Sequence, residues 1–146
     1  MTNITQDTAD YLIRLEKLCP NNNTYSFPIV GGELRIPLFS EDNKEEFCLD
    51  ISRGRIQMEK TKFQTRSRKN IVLVRVDLAG PPHRNPDFTE IPCPHIHLYV
   101  QDYEDKWAYP LPDSFSVPTD VWQVLVDFYI YCNIIQPPDI QRELFI

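Results

Sequence analysis

The chain is predicted to be an α+β domain: a twisted antiparallel sheet or half-barrel with an N-terminal helix and a C-terminal helix packed on it. Three observations predict this class. Apolar residues recur at three- and four-residue spacing only near the two ends. Between them, several short segments alternate apolar and polar residues, as half-buried strands do. The 146 residues hold no internal repeat and no flexible linker, so residues 1–146 read as one domain.

Residues 5–18 form the first helix. Ala9, Tyr11, Leu12, Leu15 and Leu18 make its buried stripe, and Thr5, Asp7 and Thr8 offer N-cap oxygens. Cys19 and Pro20 stop it, because a residue before proline leaves the helical region. Residues 25–30 and 33–39 flank Gly31 and Gly32, a two-residue connection suited to a hairpin. After a polar loop, Phe47, Leu49 and Ile51 alternate with Cys48, Asp50 and Ser52 as a strand. Arg53 and Gly54 turn the chain into a strand over 55–63, with Ile56, Met58, Lys60 and Lys62 on one face and Gln57, Glu59, Thr61 and Phe63 on the other.

Residues 71–78 are the most apolar and β-branched run, so they are assigned to a central strand. Val72, Val74, Val76 and Leu78 share one face, and Ile71, Leu73, Arg75 and Asp77 share the other. Burying Arg75 and Asp77 is costly unless they pair with each other or face a cleft. Residues 95–100 alternate again, bringing His95, His97 and Tyr99 together, and residues 107–112 add a short strand after an acidic turn at Asp102, Glu104 and Asp105. The second helix starts around 116–120, with Pro118 in its first turn, and carries Val121, Trp122, Leu125, Val126, Phe128, Tyr129 and Cys132. Pro137 and Pro138 end it, and Ile140, Leu144 and Phe145 pack a last short turn onto the body.

Several function classes are disfavoured by composition. There is no apolar run long enough for a membrane span and no basic-then-apolar leader, which leads us to expect a cytoplasmic protein without a membrane partner. Cys19, Cys48, Cys93 and Cys132 are too widely spaced for a zinc knuckle and too sparse for a disulfide scaffold, so we expect four reduced thiols. The net charge of −6 argues against general attraction to nucleic acid, yet the charge is segregated. Residues 53–75 carry Arg53, Arg55, Lys60, Lys62, Arg66, Arg68, Lys69 and Arg75 against Glu59 alone, a local +7 that leaves −13 on the remainder.

The chemistry concentrates between Gly80 and Trp107. All three histidines, His83, His95 and His97, lie there, and seven of the thirteen prolines fall between Pro81 and Pro112. Imidazoles on backbone stiffened by proline are what a preorganised site requires. General acid/base cleavage of a phosphodiester needs one imidazole to take a proton, a second to supply one and a cation to stabilise the phosphorane. His83, His95 and His97 are the catalytic candidates. Arg55, Lys62, Arg66 and Arg75 are candidates for the phosphate clamp, and Tyr99 and Trp107 for stacking bases. The two-histidine phosphoesterase pattern of two His-x-Thr/Ser motifs is absent. A competing reading makes His95, His97 and His83 ligands of a metal-dependent hydrolase. His95-x-His97 with Asp102 looks like half of a cupin motif, but this chain has no glycine after Gly80 to make the tight turns of that barrel. The sequence names no cofactor and no metal, and it leaves oligomeric state open.

Residues 71–87, followed by Pro94 to Tyr99 and by 102–112, resemble the core of an uncharacterised family of small bacterial proteins of unknown function. The resemblance is weaker around 49–66 and in the C-terminal helix. The family pattern has a glycine after Asn85-Pro86-Asp87, where this chain has Phe88. The Pro-Pro-His and His-x-His segments are also loosely similar to small toxins of toxin–antitoxin modules, several of which are ribonucleases. The resemblance brings no established activity. The leading expectation is a cytoplasmic RNA-directed phosphodiesterase, possible partners being RNA and a protein such as an antitoxin or host target. The alternative is a non-enzymatic acidic binding or inhibitor protein of a phage or mobile element that presents the −13 remainder to a basic partner.

Overall fold

In the computed structural model, residues 3–55 and 60–142 are described, and they form an α+β fold built on one large open sheet. Helix α1 (Gln6–Arg14) is followed by β1 (Lys17–Leu18), β2 (Thr24–Ser26), β3 (Glu33–Ser40), β4 (Glu46–Arg53), β5 (Thr61–Ser67) and β6 (Ile71–Asp77). A small hairpin of β7 (His83–Arg84) and β8 (Glu90–Ile91) precedes β9 (His95–Val100) and β10 (Glu104–Pro110). Helix α2 (Val121–Tyr131), β11 (Ile134–Gln136) and β12 (Asp139–Gln141) complete the described chain. The large sheet has the order β10-β9-β6-β5-β4-β3-β1-β11. Its pairings are antiparallel except for β1 with β11.

Strand alternation gives this sheet two unlike faces. Ile36, Leu49, Thr65, Val74 and Leu98 are successive cross-strand neighbours, as are Leu34, Ile51, Phe63, Val76 and Ile96. These rows belong to the apolar face, where Phe63 packs against Phe128 of α2, their ring centroids 6.0 Å apart. The intervening positions form a polar face: Arg35, Asp50, Gln64, Arg75 and His97 in one row, and Glu33, Ser52, Lys62, Asp77 and His95 in the next. This two-row polar stripe crosses five strands.

The strands over 71–77 and 95–100 and the apolar stripe of the second helix follow the expected pattern, but other boundaries differ: the strand expected over 55–63 runs over Thr61–Ser67, and the one expected over 107–112 begins at Glu104, inside the expected acidic turn. Helix α1 begins as expected, with the Thr5 hydroxyl accepting the amide of Thr8, but it stops at Leu15. Residues 17–18 instead pair as β1 between β3 and β11, and buried Lys17 donates to the carbonyls of Ile13, Leu15 and Cys132, tying together the ends of both helices. No hairpin forms around Gly31 and Gly32. Gly31 does turn the chain with φ +80°, but β2 pairs in parallel with β12, and the segment after it is held by Arg53, whose guanidinium donates to Pro28 O. Pro118 lies before α2 rather than in its first turn, and Asp120 is the N-cap. The end of the chain contributes β11 and β12 rather than a turn. The expectations for Ile56, Gln57, Met58, Glu59, Leu144 and Phe145 lie outside the described residues.

Among the described residues, all four cysteines are free, Cys19 and Cys132 buried and Cys48 and Cys93 partly so. No described helix is long and apolar enough to cross a membrane.

Candidate functional site

The antiparallel register of β6 and β9 sets Arg75 opposite His97 and Asp77 opposite His95. All four side chains project from the polar face, and the β7–β8 hairpin lies over them. That hairpin is clamped to the outer edge of β10. Asn85, buried, donates to Ala108 O at 3.0 Å and accepts Ala108 N at 2.8 Å, and His83 Nε2 donates to Lys106 O at 2.7 Å. An edge strand that would otherwise show free amides and carbonyls is thereby covered, and the same bonds place the His83 ring above the two strand histidines. The turn that makes this possible runs through Phe88 at φ +71°, with Phe88 N donating to Asn85 O. The left-handed region, which favours glycine, is thus occupied here by an exposed phenylalanine.

The three rings form one cluster. Ring centroids are 4.8 Å apart for His95 and His97, 4.6 Å for His83 and His97 and 6.1 Å for His83 and His95, all edge to face. His95 and His97 are 1% and 0% exposed, so both strand imidazoles are buried. Each buried nitrogen is accounted for. His95 Nε2 lies 3.1 Å from Asp77 Oδ2 and Nδ1 lies 3.1 Å from Ile91 O, so both ring nitrogens face oxygen acceptors. His97 Nδ1 donates to Asp105 O at 2.8 Å, which leaves Nε2 to accept from Arg75 Nη2 at 3.0 Å. The remaining guanidinium nitrogens of Arg75 bind Asp77 Oδ1 at 3.1 Å and Asp105 Oδ2 at 3.0 Å. His83, with Nε2 used on Lys106 O, keeps Nδ1 as a lone-pair nitrogen.

Asp77 is the centre of the network. Burial by itself would raise its pKa, but the His95 and His97 rings against it and the charges of Arg75 and Lys62 outweigh it and hold the carboxyl well below the usual carboxylate range. Cys93 Sγ lies 3.6 Å from His95 Nδ1. Burial and the Asp77 charge push that thiol up, so it remains protonated rather than becoming a thiolate nucleophile.

The remaining sequence candidates divide. Lys62 is exposed and directly across from Asp77. Arg66 is engaged by Asp50, with Nη2 2.9 Å from Oδ1 and Nε on Oδ2, and by Lys69 O. Lys62, Arg66 and Arg35 line an open groove of about 220 Å³ across β3, β4 and β5, continuous with the stripe that leads to Asp77. Arg55 is exposed in the β4–β5 connection beside Gly31 and makes no described contact with the histidines. Trp107 packs edge-on against Tyr103 and is half-buried. Tyr99 is 2% exposed, and its hydroxyl donates to Ile4 O and accepts Ile4 N, so it fastens the N-terminus and presents no face for a base.

Two site residues were not among the sequence candidates. Asp77 was expected to pair with Arg75 or to face a cleft, without a role in the site, and Asp105 was assigned to an acidic turn. The spacing of Arg75 and Asp77 on an apolar strand marked them as unusual, but nothing in the sequence sets the register of β9 against β6.

The fold and site together define a class: a small open-sheet α+β protein with a buried His–Asp–Arg cluster beneath a proline-rich hairpin. A family model, the family of unknown function DUF6978, matches residues 4–134, and the chain belongs to that family. No curated protein and no solved structure matches the chain.

Proposed function

We propose that this protein is a phosphodiesterase acting on RNA without a metal ion, with His83 as the group that meets the substrate. The observation that supports the reading is the convergence of three imidazoles with Arg75, Asp77 and Lys62 at the end of a polar stripe. The open groove on β3–β5 offers Lys62 and Arg35 to a phosphate backbone. His83 Nδ1 takes the proton of a ribose 2′-hydroxyl as the 2′-oxygen attacks the adjacent phosphorus. The phosphorus–5′-oxygen bond breaks, the 5′-oxygen takes a proton from water, and a 2′,3′-cyclic phosphate is left. Lys62 stabilises the phosphorane charge. His95 and His97 are too deeply buried to touch substrate and act as positioning residues: with Asp77 and Arg75 they form the rigid charged floor against which His83 packs. Four free thiols fit a reducing compartment such as the cytoplasm.

The test is digestion of mixed RNA by the purified protein with EDTA present. The reading expects cleavage to 2′,3′-cyclic phosphate ends; RNA left intact both with EDTA and with added divalent metal would overturn it.

One observation favours a second reading. Asp77, His95 and His97 each place a donor atom within 4.8 Å of the others, the composition of a two-histidine, one-carboxylate metal site. Against it, the Arg75 guanidinium lies on His97 Nε2, the nitrogen a metal would need. Stoichiometric zinc, manganese or iron in untagged protein, with activity abolished by EDTA, would replace the first reading with this one.

A further inference from the structure

Between the core face of the sheet and the start of α2 is a cavity of about 540 Å³, separate from the histidine cluster. This size suits a small organic ligand. Its walls combine apolar surface from Phe27, Leu78, Pro118 and Val121 with two guanidinium groups, Arg53 and Arg142.

The arginines are the informative part. Arg53 is only 7% exposed, yet among the described residues no carboxylate pairs with it. One of its nitrogens donates to Pro28 O, and its guanidinium lies 5.9 Å from the Phe27 ring. A buried cation without a counter-ion is costly, and proteins keep one mostly where something else supplies the negative charge. Arg142 is placed by the same scaffold: its guanidinium is 5.9 Å from the Trp122 ring, and the Phe27 and Trp122 rings are 5.7 Å apart. The four side chains thus form a row in which two aromatic rings, tilted 59° to each other, lie between the two cations. The parallel pairing of β2 with β12 brings this about, since Phe27 N donates to Gln141 O immediately before Arg142. Asp120 also lines the cavity, but its carboxylate is used as the α2 N-cap, accepting Gln123 N. The first amides of α2 have no acceptor within the helix and add donors at the same end.

We infer that this cavity binds a phosphate monoester carried on a planar apolar body, a ligand of mononucleotide size. Two guanidinium groups match the two charges of a phosphate monoester better than the single charge of a carboxylate. Pro118 and Val121, both only half-buried, supply the accessible apolar surface for a ring system. The inference does not depend on the hydrolytic reading: none of Arg53, Arg142 or Phe27 belongs to the histidine site, and binding would hold even if no RNA were cleaved.

Isothermal titration calorimetry with adenosine 5′-monophosphate, adenosine and inorganic phosphate tests it. One molecule of the monophosphate should bind per chain, with adenosine and inorganic phosphate each at least about tenfold weaker. Arg142→Gln, at an exposed position, should weaken the monophosphate about tenfold or more without unfolding the protein, and Arg53→Gln should do so at least as strongly. If Arg53→Gln fails to fold, Arg142→Gln alone decides. His83→Ala should leave the affinity unchanged, which places binding outside the histidine cluster. No binding at millimolar ligand, equal binding of phosphate and monophosphate, unchanged affinity in Arg142→Gln, or affinity lost in His83→Ala would each overturn the inference.

Discussion

Asp77 and His95 face each other across β6 and β9, Oδ2 to Nε2 at 3.1 Å, with the other nitrogen of His95 bound to Ile91 O at the same distance. The pair is buried, and the hairpin over it hangs from the edge of β10, so strand register, loop conformation and site electrostatics meet in one contact.

Asp77→Asn should therefore be strongly destabilising, by about 3–5 kcal/mol at neutral pH, because it removes the buried charge that faces the Arg75 guanidinium and the buried His95 ring. The folded carboxyl has a depressed pKa, so its contribution is fully present above the unfolded value of 3.8 and is lost as pH falls below 3.8 through the folded value. Urea unfolding of the two proteins from pH 7 to pH 2.5 should show a constant stability gap down to about pH 4 that narrows below it. A gap that instead widens in acid would refute the assignment of Asp77 as an ionised centre.

Asn85 is the clamp of the hairpin. Asn85→Ala removes two hydrogen bonds to Ala108 and leaves backbone groups of a covered edge unpaired, at a cost of about 1–3 kcal/mol. Hydrogen exchange should become faster at the β10 amides and at the loop over 83–91, with the rest of the sheet unaffected. Uniform acceleration would mean that Asn85 is not a local tie.

Phe88 gives a prediction of opposite sign. The side chain is 78% exposed, and the residue takes φ +71°. A left-handed conformation costs a residue with a Cβ roughly 1–2 kcal/mol, and glycine gives back roughly 0.5–1 kcal/mol through the entropy of the unfolded chain. Phe88→Gly should therefore be neutral to stabilising, by up to about 1 kcal/mol in a denaturant midpoint. A clear loss of stability would show that the phenyl ring makes a stabilising contact within the chain that outweighs the strain at φ +71°.

What could be read from the sequence follows from how local each signal was. The central strand over 71–77 and the strand over 95–100 were legible because β-branched runs and strict alternation are written residue by residue. So was the unusual status of Arg75 and Asp77. The short elements were not: β1, β2, β11 and β12 are two or three residues long and exist because they find partners distant in sequence, as Lys17 does with Ile134 and Tyr25 with Ile140. The same holds for the site. Clustering of His83, His95 and His97 in sequence pointed to the region, but the burial of His95 and His97 depends on where Asn85 fastens the hairpin. Tyr99 looked like a partner of the histidines from its alternation, whereas its hydroxyl is bound to Ile4.

The most direct measurement is cleavage of a short fluorescent RNA by wild-type protein and His83→Ala, in EDTA, with thermal unfolding of both. His83 is only partly buried, so the variant should unfold within a few degrees of wild type while cleavage falls by about 10²-fold or more. Wild-type cleavage that persists undiminished in a folded His83→Ala protein, or no cleavage by the wild type under any metal condition, would contradict the account.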